Sequence, residues 1–261
     1  MAWVLVEVLV AALLAVAWRG RRSVAQLEQR LHMASQELEA LQQAFSRFAP
    51  AQVVEHIIAE GVSAHPEKKD VTVLFADLKG FTALGERLDP AVLVGMLNDY
   101  FERMSHVIAA HGGHVSKFIG DGILVLFGAL DSNPWQTSDA VRAAFAMQAA
   151  LAELNAQRPP ERPRLAMGIG VHHGPVVAGV MGSTELVEYG VIGSTVNVAS
   201  RVQGLTRVHD VDILVTAAVR DHLDPRVVTR AMPAVAVKGL PEPLVTFAVE
   251  APGAPRADAP R

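Results

Sequence analysis

Two aspartates stand where acidic side chains could do chemistry. Asp77 closes an apolar run and opens the segment Asp77-Leu78-Lys79-Gly80-Phe81-Thr82, and Asp121 sits between Gly120 and Gly122. Taken singly, each reads as a turn residue, because an aspartate side chain readily hydrogen-bonds its own backbone. Together they read differently. If the strand ending at Asp77 lies beside a hairpin carrying Asp121, both carboxylates reach one sheet edge. The backbone N–H groups from Leu78 to Thr82 would lie next to them, with Gly80 permitting a tight turn. Hard oxygen ligands beside an N–H-lined turn suit Mg²⁺ or Mn²⁺ on a nucleotide polyphosphate. Spacing alone does not bring the two side chains together.

The elements that must position them follow from periodicity. Val71–Ala76 reads as a short buried strand. Pro90 to Ala110 reads as a helix, with Leu93, Leu97, Tyr100, Phe101, Met104 and Ile108 on one side. His114–Ile119 and Ile123–Phe127 read as strands joined by Gly120-Asp121-Gly122. Asp139–Gln157 is an amphipathic helix, and Leu165–His172 and Pro175–Met181 read as two strands meeting at Gly174. Ser194–Leu205 is a helix and Ile213–Thr216 a strand, with the last strands near Val235–Lys238 and Val245–Val249. Hairpins mixed with long helices predict an α+β fold with a mostly antiparallel sheet flanked by helices.

Upstream, Ala2–Trp18 carries one charge, Glu7, and is followed by Arg19, Arg21 and Arg22. A helix of that length rises roughly 26 Å, enough to cross a slightly thinned hydrocarbon core. Ala15-Val16-Ala17 resembles a signal-peptide cleavage site, but the arginines follow the apolar run where a signal peptide would carry them before it. The expectation is a single-pass anchor in the inner or plasma membrane over residues 1–18, with the remainder cytoplasmic. Val24, Leu27, Leu31, Ala34, Leu38, Leu41, Phe45 and Phe48 then recur at alternating spacings of 3 and 4. That is an a/d seam, so residues 19–48 are expected to form a coiled-coil stalk. Residues 49–250 are expected to form the folded domain and 251–261 a disordered tail.

Composition narrows the rest. With 23 basic against 27 acidic residues, net −4, the chain presents no cationic field for nucleic acid. The absence of cysteine removes disulfides, thiolate metal sites and cysteine nucleophiles. Hydrophobic residues at 51% exclude a disordered polymer. The pairs His172-His173 and His111/His114 lack the spacing of a helical zinc motif.

Three ordered segments carry a resemblance. Phe75-Ala76-Asp77-Leu78-Lys79-Gly80-Phe81-Thr82, Gly112-Gly113-His114-Val115-Ser116-Lys117-Phe118-Ile119-Gly120-Asp121-Gly122 and Gly193-Ser194-Thr195-Val196-Asn197-Val198-Ala199-Ser200-Arg201 are similar to the class III nucleotidyl cyclase domain. The likeness spans roughly residues 46–250. It implies a ferredoxin-like, palm-type sheet and conversion of ATP to 3′,5′-cyclic AMP and pyrophosphate. By matched position, Asp77 and Asp121 would hold two divalent cations, Mg²⁺ or Mn²⁺, around the α-phosphate and the ribose 3′-hydroxyl. Backbone groups at Leu78, Gly80, Phe81 and Thr82 would cradle the phosphates. Asn197 would orient the ribose and Arg201 would stabilise charge on the α-phosphate. Lys238 would meet the terminal phosphates.

Lys117 falls where adenylyl cyclases carry a lysine that accepts adenine. The second base-reading position falls on Gly190, where relatives carry Asp or Thr, and this departure weakens adenine selectivity. The resemblance also implies a homodimer, with the aspartates of one subunit facing the lysine, asparagine and arginine of the other. A guanylyl cyclase and a catalytically inactive dimeric module are the alternatives. A diguanylate cyclase would need a Gly-Gly-Asp/Glu-Glu-Phe turn, which Gly112-Gly113-His114-Val115 is not.

Overall fold

A computed structural model describes residues 18–22, 26, 28–38, 66–159, 162–183, 187–237 and 241–250. The chain divides into two units, Met1–Glu55 and His56–Arg261. In the first, residues 18–22 and 28–38 are helical, and Leu31 and Leu38 are 70% and 59% exposed. Of the other expected seam residues, Ala34 is exposed on the same helix, and Val24, Leu27, Leu41, Phe45 and Phe48 lie outside the described residues. So do the apolar run 1–17 and the tail 251–261. Among the described residues no helix is long and apolar enough to cross a membrane.

The second unit is built on an eight-stranded sheet. Its elements are β1 (Glu67–Leu78), α1 (Phe81–Gly85), α2 (Pro90–Ala110), β2 (His114–Ile119), β3 (Gly122–Phe127), α3 (Gln136–Gln157), β4 (Met167–Gly182), β5 (Val187–Ile192), α4 (Ser194–His209), β6 (Ile213–Thr216), α5 (Ala217–Arg220), β7 (Thr229–Ala231) and β8 (Thr246–Val249). The strand order is β2-β3-β1-β4-β6-β8-β7, with β5 pairing β4. All pairings are antiparallel except β4 with β6. The run β1-α2-β2-β3-α3-β4 is a ferredoxin-like unit, as expected.

Local chemistry starts α2 where the sequence places it. The Asp89 carboxylate accepts from the Ala91 and Val92 N–H groups at 2.9 and 3.4 Å, and Pro90 occupies the first helical position. Strand alternation then sorts side chains between two faces. Leu74, Ala76 and Leu78 join Ile123, Val125 and Phe127 in a core covered by α2 and α3. Val71 and Val73, with Leu124 and Leu126, face the other way, onto Val176, Ala199 and Tyr189.

Three expectations need correction. The two strands expected at Leu165–His172 and Pro175–Met181 are one sixteen-residue strand, β4, which runs straight through Gly174-Pro175. On one side β4 pairs β1 continuously, while on the other it pairs β6 at Ile169–Val171 and β5 from Val177. Pro175 falls in the gap between those partners, where its missing N–H costs no ladder bond. Among the described residues of the expected strand Val235–Lys238, 235–237, only the isolated bridge Val235–Leu244 forms, and the edge strand is β7. The sheet also contains β5, which local periodicity did not mark.

Candidate active site

Period-2 alternation puts Asp77 on the face opposite α2 and α3, where α4 lies. The pairing of Ala76 with Ile123 brings the β2–β3 turn alongside it. Gly120 occupies the first central position of that turn with φ 64°, a conformation that favours glycine. Asp121 Oδ2 accepts the Leu78 N–H at 3.1 Å. The two aspartates therefore converge, as the sequence suggested. Burial pushes the Asp77 carboxyl up to about 6, repulsion by Asp121 and a hydrogen bond between the two add to the rise, and Arg207 offsets part of it. Tyr100 is fully buried, with its hydroxyl on Met167 Sδ at 3.2 Å. Burial and the two carboxylates push its phenol up.

The turn after Asp77 differs from expectation at two N–H groups. The Leu78 N–H is committed to Asp121 and the Lys79 N–H to Ala166 O at 2.7 Å, so neither is free for a phosphate. Gly80, Phe81 and Thr82 remain: their N–H groups precede the first α1 bond, from Leu84 to Gly80 O at 3.3 Å. Gly80, at φ 73°, turns the chain into α1.

Asp77, Asp121 and the Leu78 carbonyl form a hard oxygen set that fits Mg²⁺ or Mn²⁺. Behind burial, repulsion from Asp121 contributes to the upward shift of Asp77, and a cation would relieve that part of it. Among the described residues no group of three or more His, Cys, Asp and Glu could hold a metal. Water and phosphate oxygens would thus complete the coordination, as Mg²⁺ commonly requires. His172 and His173 are hydrogen-bonded to Thr216 and Thr72.

Asn197 and Arg201 sit on α4 away from these carboxylates. The buried stripe of α4 is Thr195, Val198, Ala199, Val202, Gln203, Leu205 and Thr206, and both functional candidates are exposed on the opposite side. At about 100° per residue they lie roughly 40° apart, on a face turned from their own sheet. The residue of α4 that does reach the carboxylates is one the sequence reading missed. Arg207 Nη2 donates to Asp77 Oδ2 at 2.5 Å and to Leu78 O at 3.1 Å. A helical wheel carried past Leu205 would have put Arg207 on the flank of the buried stripe.

Lys117 reaches its position through a β-bulge. Val115 pairs Val125 but Lys117 pairs Leu124, so Ser116 is an extra residue in β2. The bulge carries Lys117 over to the face of Leu124, and leaves Phe118 stacked on Phe101 of α2 with centroids 4.2 Å apart. There Lys117 Nζ donates to Glu188 Oε1 of β5 at 2.6 Å. Glu188 is the second residue the sequence reading missed. Gly190, two residues on, is buried, and a Cβ there would meet Met181 Cε at 3.1 Å. Lys238 lies outside the described residues.

The family model described as Adenylate and Guanylate cyclase catalytic domain matches residues 63–251. An adenylate cyclase of Anabaena cylindrica is 35% identical over 206 residues, which is 76% of this chain and 40% of that protein. The chain thus spans well under half of that relative. Among solved structures, a bacterial light-regulated adenylyl cyclase superposes with TM-score 0.73 at 26% identity, covering 85% of this chain and 64% of the other. The guanylyl cyclase Cya2 gives TM-score 0.68 at 36% identity, covering 74% and 98%.

Proposed function

The chain belongs to the adenylate and guanylate cyclase catalytic domain family, and on that premise we propose that it converts ATP to 3′,5′-cyclic AMP and pyrophosphate as a homodimer. One observation carries the reading: Asp77 and Asp121 converge while Asn197 and Arg201 of the same chain face away from them. One chain therefore presents two half-sites, and a second copy supplies the complement.

In this reading the Gly80, Phe81 and Thr82 N–H groups hold the phosphates. The partner's Asn197 orients the ribose, and the partner's Arg201 donates its guanidinium to the α-phosphate oxygens. The 3′-hydroxyl gives its proton to solvent water, and its oxygen bonds to the α-phosphorus. The bond from the α-phosphorus to the bridging oxygen breaks and pyrophosphate leaves. Arg201 acts where negative charge accumulates during that exchange, which is where a planar, permanently charged donor lowers the barrier most. Two divalent ions, held by Asp77, Asp121 and the Leu78 carbonyl, would supply acidity to the 3′-hydroxyl and offset the charge of the triphosphate.

Base choice rests on Lys117 and Glu188. Adenine offers the N1 acceptor and the N6 amino donor side by side, and an ammonium next to a carboxylate complements them. Glu188 then does what Gly190 cannot. A guanylyl cyclase is the second reading, since guanine accepts at O6 and donates at N1, the same pair in reversed order. The apolar run Ala2–Trp18 supports a membrane anchor with the catalytic region on the cytoplasmic side, and the heptads after it support a dimeric stalk.

The test is the full chain assayed with ATP and with GTP, each with Mg²⁺ and with Mn²⁺, beside Asp77→Asn. Cyclic AMP formed from ATP and lost in the variant is the expected result. Cyclic GMP as the main product selects the second reading, and no product from either nucleotide removes both.

A further inference from the structure

Arg207 occupies oxygens that the proposed reading gives to a metal. Its Nη2 bridges Asp77 Oδ2 at 2.5 Å and the Leu78 carbonyl at 3.1 Å, two members of the hard oxygen set around the turn. The third member, Asp121, is tied to the Leu78 N–H at 3.1 Å, so one guanidinium and one amide together hold the whole constellation. Nothing locks Arg207 in place. Its side chain is 54% exposed, it projects from the last turn of α4, and among the described residues its partners are these two oxygens.

We propose that Arg207 competes with the divalent ion for these oxygens: it is a tethered cation that holds Asp77 beside Asp121 and retires toward solvent when the ion binds. The proposal rests on the metal-binding reading of Asp77 and Asp121. Its physical basis is charge. Two carboxylates at one sheet edge repel, and a guanidinium bound to one of them relieves that repulsion. A dication arriving at the same oxygens meets a positive group at contact distance, so one of the two must leave. An arginine at the carbonyl end of a helix can leave cheaply, because the exposed carbonyls of the last turn favour a nearby cation. Arg207 thereby sets how much metal is needed to fill the site. It is a positioning residue, not one that touches the reacting atoms.

The experiment is Mn²⁺ titration of the full chain without nucleotide, following the free-ion signal by electron paramagnetic resonance. Wild type is compared with Arg207→Met, Arg207→Gln and Asp77→Asn. Both neutral Arg207 variants are expected to bind Mn²⁺ more tightly, on the order of tenfold, the size of one screened charge–charge term at contact distance. Without added metal both should melt below wild type, and saturating Mn²⁺ should close that gap. Arg207→Gln removes the charge but keeps a polar amide donor, and carries the comparison if Arg207→Met does not fold. An Mn²⁺ affinity that is unchanged or weaker in the variants overturns the competition. If wild type shows no Mn²⁺ binding that Asp77→Asn removes, the metal-site reading itself falls and the proposal falls with it.

Discussion

Gly170 of β4 lies so close to α4 that a Cβ on it would stand 2.1 Å from the Gln203 backbone nitrogen and 2.6 Å from its Cα. Gly168 repeats the contact against Thr206 Oγ1, also at 2.1 Å. The helix bearing Asn197, Arg201 and Arg207 therefore rests on two glycines, and its height above the sheet is set by the missing methyl groups. Backbone cannot yield as a flexible side chain can. Gly170→Ala is expected to lift α4, costing about 1–3 kcal/mol of stability, the usual penalty for overpacking, with activity falling further than stability. Thermal unfolding and turnover measured together check this. An unchanged melting temperature with full activity would show that α4 does not depend on that contact.

Shared sites predict complementation. Asp77→Ala and Arg201→Ala should each abolish activity as homodimers. Mixed in equal amounts they form heterodimers with one intact site, so activity should return to about a quarter of wild type if exchange is random. Mass measurement showing heterodimers without any recovery would place both residues in one chain's site.

The Lys117–Glu188 pair predicts a specificity change. Glu188→Gln keeps an acceptor but loses the charge that orients the ammonium, so kcat/KM for ATP should fall about 10- to 100-fold, the range for a weakened polar reading of a base. The ATP to GTP ratio is the readout. If both nucleotides lose equally, Glu188 does not discriminate between the bases.

His172 predicts an acid limb in stability. Burial and the neighbouring His173 lower its imidazole to about 4 from an ordinary value of 6.5. Between those values the unfolded chain holds a proton that the native chain lacks, so stability falls as pH drops from about 6.5 to 4. His172→Gln can still donate to the Thr216 hydroxyl, now 2.8 Å from Nδ1, but cannot titrate. Its melting temperature should decline less over that window, by an amount worth about 1–3 kcal/mol at the acid end. Parallel melting curves for variant and wild type from pH 7 to 4.5 would assign the limb elsewhere.

The stalk predicts a concentration dependence. Leu31 and Leu38 are exposed on a helix with heptad spacing. Replacing both by Asp should lower activity at dilute enzyme while leaving it near normal when concentrated, read beside sedimentation mass. Identical mass and activity at every concentration would remove the stalk from dimerisation.

Local chemistry was enough to mark α2, because Asp89 and Pro90 begin it without tertiary help, and β6, an apolar run whose bounds the sequence marked. It was enough to single out Asp77 and Asp121 as well, since an aspartate ending an apolar strand and another between two glycines are visible to inspection. It did not show the continuity of β4 through Gly174-Pro175, which holds because of where the neighbouring strands stop. Nor did it show the extra residue at Ser116 that turns Lys117 onto the working face, or the capture of the Leu78 N–H by Asp121. Arg207 and Glu188 acquire their meaning only from partners 130 and 71 residues away. Periodicity and turn chemistry are properties of a few adjacent residues, and they decide which elements form. Register, bulges and ion pairs are decided by which elements meet, because their energies exist only once distant segments are packed together.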